Sequence, residues 1–437
     1  MRINLSNKIL SYTIAYGIRM NSKQKNPSPI IDNLAYLDNP FKQKSFSATS
    51  YLENAIQWAD TDLEYALKFL YSYNGSTATY NSYRREIERL LQWCWRIAEL
   101  SVMRLRREHI EEFMQFCSSP PMAWIGTKNV ARFTSKQGLR VPNDDWRPFV
   151  ASISKTDFRQ GIEIDPKQFY PSQAAIRATF TALSSFYEYL IQEGLIELNP
   201  VALIKQKSKF IRRDQLKPVV RRISNIQWDY VLETAERMAA ANPREHERTL
   251  FVVNCLFAMY LRISELVADE RSTPVMGDFS RDHDGNWWFS VTGKGNKNRS
   301  ITVCNDMLQA LTRYRKYRGL SPYPALGEQT PIVPKQKGRG PVTSTRHIRR
   351  IVQDCFDTAY ERMRSDGLED DAYDLRMATV HWLRHTGISE DVKFRPREHV
   401  RDDAGHASMA TTDRYIDSDL RERHASGKKK RVRDLDF

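Results

Sequence analysis

Cysteine is scarce in this 437-residue chain, and the five present (Cys94, Cys117, Cys255, Cys304 and Cys355) are scattered. None forms a CxxC pair or a metal-ligand spacing, so neither a disulfide framework nor a structural zinc site is expected. An odd count without framework spacing fits a reducing compartment. Long apolar runs are missing too. The longest, Leu250 to Leu261, contains Asn254 and is too short to cross a bilayer; it reads as a buried helix. The mildly apolar start, Asn7 to Met20, is interrupted by Lys8, Ser11, Tyr12, Thr13 and Tyr16 and has no small-residue cleavage site after it. No secretory signal is therefore expected, and Met20 is an alternative start. These absences point to a cytoplasmic protein with no membrane partner.

Acid is in deficit: 53 Asp and Glu face 67 Lys and Arg, a net charge of +14. Clustered basic side chains attract phosphate and release counterions, so the surplus suggests a polyanionic partner. The apolar fraction of 41% is ordinary for a globular protein, and the length suggests two or three domains.

Residues 1–45 are polar, with Pro27, Pro29 and Pro40, and read as a flexible arm. Helical spacing then sets in. Leu63, Ala66, Leu67 and Leu70 share one face, as do Ile87, Leu90, Leu91 and Trp95. Ser118 to Pro171 breaks the rhythm with Pro120, Pro121, Pro142, Pro148, Pro166 and Pro171, and reads as an insertion or long loop. The stripe Ile176, Phe180, Leu183, Phe186 and Leu190 restores a helix, which Gly194 and Pro200 end. An all-helical first domain over 46–204 is the expectation. From Lys205 to Arg222 eight basic residues, Arg212 and Arg213 among them, face one acid. At that density they resist packing, and they read as a linker, either solvated or crossing a DNA backbone.

A second domain occupies 223–437. Trp228–Asn242 and Glu245–Ala268 read as helices, and Trp287–Thr292 and Arg299–Val303 as strands of a β-hairpin turning at Gly293-Lys294-Gly295-Asn296-Lys297-Asn298. Helices follow around Ile348–Met363, His381–Glu390 and Thr411–Asp419, and the tail from Lys428 to Arg433 is strongly basic.

Four segments here carry residues suited to chemistry. Arg262 and Glu265 follow the buried helix in Tyr260-Leu261-Arg262-Ile263-Ser264-Glu265-Leu266; alone, such an Arg reads as a snorkelling surface residue. The hairpin tip offers Lys294, Lys297 and Arg299, with glycines that permit close approach to a ligand. It lacks GxxxxGK[ST] and leads into no helix, which argues against a nucleotide triphosphate site. In His381-Trp382-Leu383-Arg384-His385-Thr386-Gly387, His381, Arg384 and His385 share one helical face. Two histidines four apart invite a zinc reading, but Trp382 stands where HExxH needs glutamate. Last come Gly405-His406 and, nine residues after the histidine, Tyr415.

Arg, hairpin Lys, HxxR, GH and Tyr in this order resemble the signature of the tyrosine recombinases, or phage integrases. The resemblance covers the second domain and extends more loosely to the first, where helices ending in Glu197-Leu198-Asn199-Pro200 look like the family's core-binding domain. It implies a mainly α protein: a helical core-binding domain with an insertion at about 118–171, then a mixed α+β catalytic domain of the DNA breaking-rejoining type.

The resemblance also implies roles. Arg262 and Arg384 would clamp the non-bridging oxygens of the scissile phosphate, since a planar guanidinium binds two oxygens and stays charged. Glu265 would orient Arg262. Tyr415 would be the nucleophile, His381 its proton acceptor, and His406 a hydrogen-bond partner of the phosphate. Lys294 would be the general acid for the leaving 5′-oxygen, with Lys297 its competitor. Lys297, Arg299, Arg212 and Arg213 would contact DNA. The reaction would need no metal, ATP or other cofactor. Partners would be double-stranded recombination sites, a homotetramer on synapsed DNA and accessory DNA-bending proteins, placing the enzyme on the nucleoid when bound.

Two stretches depart from the family pattern. One is the insertion. The other is Ile388–Arg401, where polar Ser389-Glu390-Asp391 and Lys393-Phe394-Arg395-Pro396-Arg397 stand in place of an apolar helix. Rival readings are a DNA-relaxing or telomere-resolving enzyme of the same chemistry, and a DNA-binding regulator that keeps the fold without catalysis.

Overall fold

The computed structural model describes residues 27–36, 58–136, 139–153, 155–202, 204, 210–211, 222–293, 298–413, 415 and 427–428. The chain divides into two compact units, Met1–Gln215 and Leu216–Phe437, each around its own hydrophobic core. Among the described residues no helix is long and apolar enough to cross a membrane.

The first unit is built on helices α1 (Ala59–Tyr71), α2 (Thr77–Trp93), α3 (Arg107–Ser118) and α4 (Gln173–Gln192). Ser76 and Ser172 cap α2 and α4, their hydroxyls accepting from the Thr79 and Ala175 amides. The stripes read from the sequence are the ones buried: Leu63, Ala66 and Leu70 on α1, Ile87, Leu90 and Leu91 on α2, Phe180, Leu183 and Phe186 on α4. Inside this core the Asp62 carboxylate accepts from Trp95 Nε1 at 3.1 Å, Ser101 Oγ at 2.6 Å and the Val102 amide at 3.1 Å.

Two expectations for this unit need correcting. The 118–171 stretch is not a bare loop, and the unit is not purely helical. Ile125–Gly126 (β1) pairs in parallel with Phe149–Val150 (β4), and Phe133–Lys136 (β2) runs antiparallel to Leu139–Pro142 (β3). Trp124, Ile125, Phe149 and Ala151 join the core, and Arg89 lies 4.4 Å from the Phe149 ring centre. The prolines stop helix, but the aromatic residues between them still have apolar area to bury. Part of the arm is also packed. Ile30 and Ile31 are buried, the Ile30 amide donates to Glu88 at 2.6 Å, and Asp32 pairs with Arg140 at 2.9 Å.

In the second unit α5 (Asn225–Ala241) packs on α6 (Pro243–Ala258), with α7 (Asn305–Tyr317), α8 (Thr345–Ser365) and α10 (Val380–Asp391) also against α6. Between α8 and α10 lies α9 (Glu369–Met377). Phe279–Arg281 (β5), Trp287–Thr292 (β6) and Asn298–Thr302 (β7) form one antiparallel sheet, in which Phe289 opposes Phe279 on one side and Ile301 on the other. Helix α11 (Arg397–Ala404) lies against β7 and is followed by the short α12 (Met409–Asp413).

Helix α6 ends ten residues before the expected Ala268, and that early end makes room for the site. Tyr260 takes a positive φ of 49°, strained for a non-glycine residue. The cause is the crossing of α10, where Gly387 sits so close that an added Cβ would come within 2.2 Å of the Phe257 carbonyl oxygen. The chain after Ala258 must turn away, and it re-forms as a single 3-10 turn, Ile263–Leu266, headed by Arg262.

Candidate active site

Glu265 is the anchor. It is buried, and one carboxylate serves two arginines. Its Oε2 accepts from the Arg262 amide at 2.8 Å, which closes the 3-10 turn, and its Oε1 accepts from Arg262 Nη1 at 3.0 Å. Arg299, on β7, donates from Nη1 and Nη2 to the same two oxygens at 2.9 and 2.8 Å. Burial alone would raise this carboxyl, but the bonds from Arg299 and Arg262 hold it below the usual range.

The expectation that Arg299 contacts DNA is not met. Its side chain is 11% exposed, both terminal nitrogens are on Glu265, and Nε donates to the Asp403 carbonyl at 3.0 Å. A guanidinium committed on every edge has no fork to offer a phosphate. Glu265 thus holds both Arg262 and Arg299, the latter a partner that the sequence did not suggest.

Arg384, on α10, is buried and donates to the Tyr260 carbonyl and, at 2.6 Å, to that of Ala404. It thereby ties together the ends of α6 and α11. Arg262 Nη2 reaches the next carbonyl, Gly405, at 3.2 Å. Gly405 has a φ of +63°, and a Cβ there would meet Arg299 Cδ at 2.9 Å, so the glycine before His406 answers both a turn and a close approach. Burial and the neighbouring Arg262 push the Arg384 guanidinium down to about 10. Cations gathered at this density, with one buried carboxylate among them, mark an anion site.

His406 Nδ1 lies 2.9 Å from the hydroxyl of Thr412, a fully buried residue of α12. The His406 ring stacks on Tyr415 with 5.6 Å between centres and 13° between planes. On the other side, His385 Nδ1 lies 2.7 Å from the Tyr415 hydroxyl. Burial and the arginines push His406 down to about 4, and burial with His381 and Arg384 does the same to His385. Both rings are therefore neutral near pH 7. His381 is exposed one turn earlier on α10, and burial of part of its ring, then Arg349, Arg384 and Arg262, lower it. The phenol hydroxyl is thus within hydrogen-bond distance of His385, four residues after the expected acceptor His381.

The polar 388–401 stretch also has a structural answer. Arg395 donates to Asp391 at 2.9 Å, to the Tyr260 hydroxyl at 3.1 Å and to Asp403 at 2.6 Å, and Tyr260 donates its own proton to Asp391. An ionic network thus replaces an apolar helix in joining α10 to α11. Sequence spacing brought Arg262, Arg384, His406 and Tyr415 to one place. It gave no sign of the His385–Tyr415 bond, of Thr412, or of Arg395 with its two aspartates. Lys294, Lys297, Arg212 and Arg213 lie outside the described residues.

No protein-family model matches the chain. It is 25% identical over 252 residues to the tyrosine recombinase XerC of Chlorobaculum parvum, covering 55% of this chain and 68% of that protein. To the tyrosine recombinase XerC of Bradyrhizobium diazoefficiens it is 28% identical over 298 residues, covering 64% and 79%. Among solved structures, the XerH site-specific recombinase in its post-cleavage complex with a palindromic difH substrate superimposes with a TM-score of 0.50 at 15% identity, covering 85% of this chain and 86% of that one. That likeness is one of fold, a helical protein carrying small sheets. The ordered Arg, HxxR, GH and Tyr thus meet at one cationic site in a chain that is similar in sequence to tyrosine recombinases and in fold to a solved site-specific recombinase.

Proposed function

We propose that the enzyme cuts and rejoins double-stranded DNA at specific sites through a 3′-phosphotyrosyl link to Tyr415. The observation that carries the reading is the Tyr415 hydroxyl, hydrogen-bonded to one neutral imidazole and stacked on another, beside two arginines that share neighbouring carbonyls.

The chemistry follows from charge. In-line attack at phosphorus adds negative charge to the non-bridging oxygens, so fixed donors aimed at them lower the barrier. Arg262 and Arg384 supply those donors. Their remaining N–H groups are held by bonds that already exist, to Glu265, Gly405, Tyr260 and Ala404. His406, oriented by Thr412, donates to a phosphate oxygen through Nε2. His381, which the family resemblance makes the proton acceptor, stands at the exposed start of α10. Lys294 protonates the leaving 5′-oxygen, with Lys297 the alternative, and Lys297, Arg212 and Arg213 hold the DNA backbone. The phosphodiester energy stays in the tyrosyl link, so ATP is not consumed, and the guanidinium and imidazole groups supply charge that a metal would otherwise bring. A 5′-hydroxyl from a partner strand reverses the attack, in a homotetramer that exchanges strands in pairs through a Holliday junction.

The folded insertion at 118–171, with its own small sheets, sets the first unit apart from a compact helical domain. We extend the proposal to integration and excision of a mobile element, with accessory DNA-bending proteins as partners. The domain roles proposed are DNA-core binding over 46–204, a basic linker over 205–222 and catalysis over 223–437.

The test is a nicked suicide duplex carrying a candidate site from the DNA flanking the gene. An adduct that survives SDS, joined through Tyr415 to a 3′-phosphate and absent with Tyr415→Phe, is the expected result. An adduct that persists in Tyr415→Phe, while DNA binding is unchanged, sinks the assignment of the nucleophile.

A further inference from the structure

The proposed chemistry leaves one contact without a purpose. His385 follows Arg384 on α10, and its Nδ1 lies 2.7 Å from the phenol oxygen, with ring centres 5.4 Å apart and planes at 36°. The other imidazoles in reach are placed differently. His406 lies nearly parallel to the phenol ring, and its Nδ1 is already on Thr412. A stacked ring presents its π face, not a lone pair, to its neighbour. His381 is at the exposed start of the helix.

We propose that His385 is the general base of the reaction, taking the proton of Tyr415 through Nδ1 as the phenol oxygen attacks phosphorus. This rests on Tyr415 being the nucleophile. The step balances within the site. The Tyr415 O–H bond breaks and its proton passes to His385 Nδ1, while the freed oxygen pair forms the bond to phosphorus. The bond from phosphorus to the 5′-oxygen breaks, and that oxygen takes a proton from the general acid. In rejoining, the proton held on His385 returns to the phenol oxygen as the tyrosyl link is broken.

The surroundings favour this role. Burial, then His381 and Arg384 on the same helix, keep His385 neutral and able to accept. Arrival of a phosphate beside Arg384 adds negative charge to the same neighbourhood, and that raises the proton affinity of the imidazole. The base therefore strengthens when substrate is in place. Its backbone neighbour Thr386 donates to Trp382 and its helix is pinned by Arg384, so the ring has a fixed origin.

The experiment is single-turnover adduct formation by the full chain on the nicked duplex, with DNA affinity measured in parallel. In His385→Asn the amide oxygen takes the place of Nδ1 and still accepts a hydrogen bond from the phenol, but it is too weakly basic to take the proton. A fall of at least about a hundredfold is expected, with DNA affinity unchanged. His385→Ala should regain rate with added imidazole, rising with pH as the free-base fraction of the additive rises, whereas His381→Ala should not respond. His385→Asn within fivefold of the parent, when Tyr415→Phe is inactive, overturns the proposal and leaves the nucleophile standing. An adduct in Tyr415→Phe overturns both. If neither His385 variant folds, the imidazole nitrogen resonances of the parent and of Tyr415→Phe decide. Loss of a hydrogen-bonded Nδ1 signal in Tyr415→Phe supports the contact, and identical spectra refute it.

Discussion

At the scale of single residues, arginines that look alike in the sequence do different work. Arg262→Ala or Arg384→Ala should slow cleavage by several orders of magnitude, roughly 3–6 kcal/mol of barrier. Activity within tenfold of the parent in either variant would remove it from the clamp. Arg299→Ala should behave otherwise. It takes two donors from the buried Glu265 carboxylate, so the folded state should lose about 3 kcal/mol, while the salt dependence of DNA affinity keeps its slope. Denaturant unfolding and a salt titration of binding separate the two, and a shallower slope would return Arg299 to the DNA contacts. The motif residues were legible because HxxR and GH encode local geometry, three residues on one helical face or a turn that needs glycine. The Glu265–Arg299 pair was not, because the partners stand 34 residues apart and meet only when the sheet folds against the 3-10 turn.

At the scale of elements, the close crossing of α6 and α10 decides where Arg384 sits. Gly387→Ala places a methyl 2.2 Å from the Phe257 carbonyl oxygen, so one helix must move. A cost of about 1–3 kcal/mol is expected. Because the Tyr260 carbonyl that holds Arg384 lies in the same crossing, cleavage should slow more than stability alone explains. Parent-like cleavage from a destabilised Gly387→Ala protein would show that the crossing does not set the arginine. Helix periodicity found α1, α2 and α4 because one stripe faces one core. It overran the end of α6, since an apolar run gives no sign of a tertiary crossing that turns the chain at Tyr260. It also passed over β1 to β4, whose strands of two to four residues are too short to show alternation.

At the scale of the whole molecule, stability should depend on pH in a defined direction. His385 and His406 titrate near 4 in the fold, against about 6.5 in an unfolded chain. Between those values the unfolded state binds more protons. Stability is therefore full above pH 6.5 and is lost as pH falls toward 4. Thermal unfolding at pH 5 should come a few degrees below that at pH 7, and the gap should shrink in His385→Asn. An unfolding temperature independent of pH across this window would contradict the burial of both rings. The division into two cores yields a further expectation. Arg262, Arg384, His385, His406 and Tyr415 all belong to Leu216–Phe437. That unit expressed alone should fold cooperatively and form the tyrosyl adduct at high DNA concentration, with affinity much reduced. Failure to fold would show that its core needs the first unit. Charge and motif order made the class of reaction readable; the packing of the 27–36 segment and of the insertion was not, because prolines and polar residues hide the few apolar side chains that anchor them.

Glu265 has a consequence for how the site distinguishes a substrate from a transition state. Arg262, Arg299 and Arg384 carry three positive charges, the carboxylate cancels one, and the two histidines nearest the phenol are neutral. A bound phosphodiester brings one negative charge and its five-coordinate transition state brings two. On the proposed reaction, negative charge developing on a bound phosphodiester would therefore meet a surplus of positive charge already fixed in the resting protein.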